Sequence, residues 1–280
     1  DPAMEVAKWT FKGAPANVSV MMPELEGVMP KVDDDDARIA YDELSTDVDN
    51  FTNHGNLEQD PEAMATIHEF VDRGFLKSFD SLDECREYLG AEPILSKFAC
   101  LYKDKYNSAT DSWTTKKRVI LDSKQSSVKD ASSRQFRSVL PRVVDAVKDS
   151  MYLLDDCDPN SSLEFLVLDA TDAFWEVSLH PSERRFYVGK IKGKFLVYLR
   201  TVQGSRGAPL SWAALFGLIC RLVQALFVLP TSSCRLAVEA AFNVYVDDPL
   251  VTMRGSYAQR NRIAAVTILA WGHWCATGLQ

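Results

Sequence analysis

Apolar positions fall into helical spacing soon after residue 60. Ala63, Ile67, Phe70 and Val71 recur at near-helical intervals, which predicts a helix from Pro61 to a stop at Gly74. A second short helix is predicted from Ser81 or Leu82 to Leu89, ended by Gly90. Residues 94–101 read as a strand, and 103–115 as a polar loop. The run Lys116-Lys117-Arg118-Val119-Ile120-Leu121-Asp122 then feeds three cations into a β-type segment. Residues 138–152 have an amphipathic period that turns Val139, Val143, Val144, Val147 and Met151 inward.

The second half alternates short strands with long helices. Phe165-Leu166-Val167-Leu168 is a continuous apolar run, predicting a fully buried strand, and it ends in Asp169-Ala170-Thr171-Asp172-Ala173-Phe174. Residues 185–191 and 195–199 predict a hairpin about Lys192-Gly193. Gln203-Gly204-Ser205-Arg206-Gly207-Ala208-Pro209 opens an apolar helix reaching about Leu229. That helix approaches the length a bilayer needs. Arg221 and Gln224 sit inside it, and a central Arg is costly in lipid, so a buried core helix and no membrane partner are expected. Phe242-Asn243-Val244-Tyr245-Val246 alternates like a strand, stops at Asp247-Asp248 and returns over 249–253. A last helix is predicted over 256–271.

Composition excludes some classes. With 280 residues, 46% hydrophobic and 25% charged, the chain is neither wholly disordered nor collagen-like nor a coiled coil. The net charge of −8 hides an asymmetry. Residues 1–100 hold 8 cations against 22 acids, and residues 101–280 hold 23 against 17. Pro15, Pro23, Pro30 and the run Asp33-Asp34-Asp35-Asp36 make residues 1–60 an acidic segment expected to be poorly structured. The run lacks the ligand alternation and turn Gly of an EF-hand calcium loop. Six cysteines without a C-x-x-C pair argue against a disulfide framework or zinc cluster and suit a reducing, intracellular compartment. No charged-then-apolar leader follows Asp1, so no secretory signal is expected.

The carboxylates carry the chemical argument. Asp169 follows one apolar strand and Asp247-Asp248 ends another. Adjacent acids repel and resist desolvation, and a divalent cation removes that cost. Mg²⁺ takes one or two protein carboxylates, with substrate phosphates completing its shell. If the two strands are neighbours, Asp169 and Asp247 can hold two ions about 4 Å apart, the arrangement for in-line displacement at phosphorus. An Asp-Asp pair after a strand more often marks a turn, and Tyr245-Val246-Asp247-Asp248 alone decides nothing. Four ordered features, each with its own physical task, change the balance.

Together they resemble the reverse transcriptases of retroelements. Asp169-Ala170-Thr171-Asp172-Ala173-Phe174 is similar to the first palm motif, D-x-x-D-A-F/Y, and Gln203–Pro209 to the second, a Gln/Gly loop entering a helix with Pro at its start. Tyr245-Val246-Asp247-Asp248 matches the YVDD hairpin, and Lys116–Asp122 resembles the basic fingers strand. The resemblance covers roughly residues 90–275. It implies an α/β (α+β) right-hand polymerase fold, with an antiparallel palm sheet backed by helices. Residues 61–160 are expected to be a fingers-like region, and 161–280 a palm region truncated before the thumb.

The resemblance also implies roles. Asp169 and Asp247 ligate two Mg²⁺ ions, for which Mn²⁺ can substitute, with Asp248 assisting and the Ala170 carbonyl as an extra ligand. Lys117 and Arg118 clamp the triphosphate, and the Asp172 and Ala173 amides face it. Phe174 either gates against a ribose 2′-OH or is simply core. Gln203 touches nucleotide or template, and Gly204 lets the backbone approach closely. Tyr245, Arg206 and Lys116 contact primer or template. The cations Arg184, Arg185, Lys190, Lys192 and Lys194 form either a nucleic-acid contact or a solvated face.

The implied activity is RNA-directed DNA synthesis from dNTPs on a primed RNA or DNA template. The helix after the third motif should lead to a Lys-bearing strand, a primer-gripping hairpin and a thumb. Their absence up to Gln280 implies weak primer–template affinity. Two alternatives stand: an inactive palm fragment that binds nucleic acid or a partner, and an RNA-dependent RNA polymerase, against which Phe174 argues.

Overall fold

The computed structural model of the chain describes residues 1, 3–32, 39–155, 161–229 and 237–278, so the Asp33–Asp36 run lies outside the described residues. A short helix α1 (Trp9–Lys12) is followed by α2 (Pro61–Asp72), β1 (Leu76–Phe79) and α3 (Leu82–Leu89). Asp60 caps α2 by accepting from the Glu62 and Ala63 amides at 3.0 and 3.2 Å, with Pro61 in the first turn. Ser81 caps α3, and Gly90, at φ +63°, ends it in the left-handed conformation that favours glycine.

Next come β2 (Lys97–Asn107), β3 (Ser112–Asp122), α4 (Val128–Ala131), α5 (Val143–Asp155) and β4 (Ser162–Val167). The hairpin β5 (Val188–Ile191) and β6 (Lys194–Tyr198) turns on Lys192 and Gly193, both at positive φ. Then follow α6 (Gly207–Ala225), β7 (Val228–Leu229), β8 (Ala237–Val238), β9 (Ala240–Tyr245), β10 (Asp248–Gly255) and α7 (Tyr257–Gly278). The described strands pair antiparallel with one another, in sheets ordered β4-β10-β9, β1-β6-β5, β2-β3 and β7-β8. The fold is thus α+β, mixing helices with antiparallel sheet.

Two main cores organise it. The first joins the β4-β10-β9 sheet to α6 and α7 through Val251, Met253, Phe216, Ile263 and Trp271. Helix α6 is long and apolar enough to cross a membrane, and most of its residues are buried in this core. The second core surrounds Trp175, which stacks on Phe75 at 4.9 Å and on Tyr198 at 5.6 Å. It draws on α2, β1, the base of the β2–β3 ribbon, β5 and β6.

Two expectations are corrected, the loop over 103–115 and the buried faces of α5 and β4. The leading segment is ordered where described: Val6, Trp9, Met22 and Leu25 enter the first core, and Ala16 and Val18 the second. Its apolar residues dock singly, while Asp1 pairs with Arg221 and Asp60 with Lys117. The second core draws on both sides of residue 160, because residues 175–202 pack with α2 and β1 and β6 pairs with β1. Residues 103–115 form an exposed antiparallel ribbon rather than a loop. Finally, Val139, Val143, Val144, Val147 and Met151 are exposed, and so are Phe165 and Val167 on β4. Helix α5 turns Asp149 and the fully buried Leu153 inward, with Asn243 donating to Asp149 at 2.7 Å, and β4 is an edge strand.

Candidate active site

The β4–β10 ladder brings the backbone of Asp169 alongside that of Asp247-Asp248. Val167 is paired with Leu250, and the ladder runs on as Leu168 N–H donates to Pro249 O at 3.1 Å and Ala170 N–H to Asp247 O at 2.9 Å. Asp169 therefore lies across from Asp248, beside the turn. Tyr245 and Asp248 form the closing pair of β9 and β10, leaving only Val246 and Asp247 in the turn. Val246 has φ +59°, and its carbonyl accepts from Trp212 Nε1 at 2.7 Å. Asp169 and Asp248 are exposed and Asp247 is half-buried. Asp169 also borders an apolar cleft of about 230 Å³ walled by Leu168, Phe216, Pro249 and Trp271.

Among the described residues no group of three or more His, Cys, Asp or Glu side chains is placed to hold a metal ion. Mg²⁺ needs fewer: one or two hard carboxylate oxygens, with the rest of the shell from water and phosphate. Asp169 and the Asp247-Asp248 pair, on adjacent strand ends, fit that donor chemistry.

The rest of the first motif is held from a distance. Asp172 adopts φ +57° and its carboxylate pairs with Arg73, at the end of α2, at 2.6 Å. Its amide and that of Ala173 have no hydrogen-bond partner among the described residues. Successive free amides at a left-handed residue make a concavity suited to an anion. Phe174 is half-buried against the first core, and its carbonyl accepts from Thr201 Oγ1 at 2.6 Å.

Other candidates are divided by the geometry. Gly204 has φ +95° with open space where a Cβ would stand, so conformation and not close approach requires glycine there. Gln203 beside it is half-buried. Arg206 points inward, donating to Ser132 O at 3.1 Å and lying 3.7 Å from Asp130. Tyr245 is exposed.

In the ribbon, strand alternation separates the three basic residues. Lys117 turns toward α2 and pairs with Asp60 at 2.9 Å and Glu62 at 3.1 Å. Its hydrogen bond lowers the Asp60 carboxyl below the usual range. Lys116 and Arg118 share the opposite face, where Lys103 is across from Lys116 and Lys105 lies beyond. Of the cations in and before the β5–β6 hairpin, Arg184 donates to Tyr88, Lys190 to Val48 O, and Lys194 pairs with Asp80.

Sequence reasoning missed Arg73, Lys103 and Trp212. Nothing local marks Arg73, 99 residues from Asp172. Lys103 follows from pairing the two strands, and Trp212 stands only three residues beyond the second motif's Pro209.

Among solved structures, the chain is similar to that of a foamy viral protease-reverse transcriptase in complex with double-stranded DNA. The TM-score is 0.51 at 14% identity, over 88% of this chain and 34% of that one. The fold is reverse-transcriptase-like. The chain spans about a third of the length of that neighbour. No protein-family model matches the chain, and no curated protein matches its sequence.

Proposed function

We propose that the chain carries the polymerase core of an RNA-directed DNA polymerase of the retroelement type. One observation carries this: the β4–β10 ladder sets Asp169 beside Asp247-Asp248 within a reverse-transcriptase-like fold. In this reading the β4-β10-β9 sheet with α6 and α7 is the palm, and the β2–β3 ribbon belongs to the fingers. The primer 3′-oxygen bonds to the α-phosphorus of a dNTP as the bond to pyrophosphate breaks.

Asp169 and Asp247 would hold Mg²⁺, with Asp248 and the Ala170 carbonyl as further ligands. Bound there, it would supply activation of the primer hydroxyl and charge neutralisation for the leaving phosphates. The Asp172 and Ala173 amides and Arg118 orient the triphosphate. Phe174 lies under the sugar and disfavours a 2′-OH, and Gln203 meets the nucleotide or template. Tyr245 lies against the primer end. The neighbour's complex with double-stranded DNA supports a nucleic-acid partner. A second reading is binding of nucleic acid without turnover, which the double-stranded DNA in the neighbour's complex fits equally well.

Primer extension on an RNA template with Mg²⁺ separates the readings. Incorporation of dNTPs, reduced about a thousandfold or more by Asp247→Asn, is the expected result. Incorporation of rNTPs with equal ease points to an RNA polymerase. Tight template binding with no incorporation leaves the binding role alone.

A further inference from the structure

The turn between β9 and β10 is built on an unsuitable residue. Val246 sits at φ +59°, a conformation that β-branched side chains resist. Two-residue hairpin turns normally put Gly, Asn or Asp at such a position. Two contacts from outside the hairpin grip this turn. The Asp247 carbonyl accepts from Ala170 N–H at 2.9 Å, and the Val246 carbonyl accepts from Trp212 Nε1–H at 2.7 Å.

Trp212 is itself immobilised. It is 2% exposed, and its ring stacks on Phe216 with centroids 4.5 Å apart and planes 18° apart. Phe216 in turn meets Trp271 at 5.7 Å. A buried indole N–H needs an acceptor, and this stack aims it at the turn. Because the peptide unit is planar, a held Val246 carbonyl also fixes the Asp247 nitrogen and the direction in which the chain leaves the turn.

We propose that Trp212 is a positioning residue whose indole N–H locks the Val246–Asp247 peptide and thereby sets how Asp247 and Asp248 approach Asp169. The catalytic consequence rests on the polymerase reading; the structural one does not. Helix α6, which carries Trp212, starts directly after the Gln203–Arg206 loop, so one rigid element links that loop to the carboxylate turn.

Two substitutions in the full chain test this. Trp212→Phe keeps a stacking ring and removes the donor, and Val246→Gly removes the strain. Hydrogen exchange at the Asp247 and Asp248 amides, thermal midpoint, and kcat and KM for dNTP are measured together. Trp212→Phe is expected to speed hairpin exchange and lower kcat, each on the order of tenfold, with KM changed less than about twofold. Adding Val246→Gly restores most of both, since glycine takes positive φ freely. Unchanged hairpin exchange in Trp212→Phe overturns the proposal. So does a loss accompanied by a lower midpoint that Val246→Gly fails to restore, the pattern of a packing role. If the unaltered chain incorporates no nucleotide, the polymerase reading fails, while hydrogen exchange still decides the role of Trp212.

Discussion

Glu183 shows how much one side chain can hold. It is fully buried, and its Oε1 accepts from the amides of Val18, Ser19 and Val20 at 3.3, 3.0 and 2.5 Å. Burial pushes its carboxyl up to about 7, while the three amides pull the other way. The folded chain thus keeps a proton that the unfolded chain releases. The associated stability is complete below about pH 4.5 and is lost as pH rises through about 7. Glu183→Gln, which keeps an acceptor oxygen, is expected to remove this slope, at most about 3 kcal/mol, from urea midpoints compared at about pH 5 and about pH 8. An unchanged slope would assign the proton to another group. At this scale the Asp169 and Asp247-Asp248 carboxylates were legible, because their spacing after apolar runs signals strand ends. Arg73 was not, since an ion pair across 99 residues leaves no local trace.

Elements explain why neighbouring residues part company. Lys116, Lys117 and Arg118 are consecutive, yet the two-residue period of a strand puts Lys117 against Asp60 and leaves the others on a face shared with Lys103 and Lys105. That face is expected to meet phosphates. Lys103→Glu and Lys105→Glu should weaken nucleic-acid binding and lower its salt-dependence slope by about 0.9 for each duplex phosphate left without its cation. Lys117→Glu should instead destabilise the fold by breaking its pairs at the α2 cap, which thermal melts would register. Equal salt slopes for all three variants would refute the two-face assignment. Residues 103–115 were unreadable as strands because both faces of the ribbon are solvated there, so no burial imposed an alternating pattern. Helix α5 misled in the opposite way: its apolar stripe is real, but the helix buries the face that carries Asp149 and Leu153. Amphipathicity states which face could be buried, and tertiary packing chooses.

The whole molecule is laced by its leading segment. Ser211 Oγ donates to Pro15 O at 2.8 Å, and a Cβ on Gly207 would stand 2.6 Å from the Ala16 Cα, so α6 starts directly on this backbone. A chain lacking residues 1–31 is expected to lose its cooperative thermal transition and near-ultraviolet dichroism, since both cores lose members. A sharp transition in that truncation would make the segment an accessory. Its order escaped the sequence because a mostly irregular thread, giving single residues to two cores, has no period. The lacing also has a consequence in time. Pro15 and Ser211 are separated by 196 residues, which a ribosome adding ~5–20 residues per second takes roughly 10–40 s to synthesise. Through that interval Val6, Trp9, Met22 and Leu25 have no core to enter, so a stretch made early is among the last to dock, and it is the sticky surface a chaperone meets on the nascent chain.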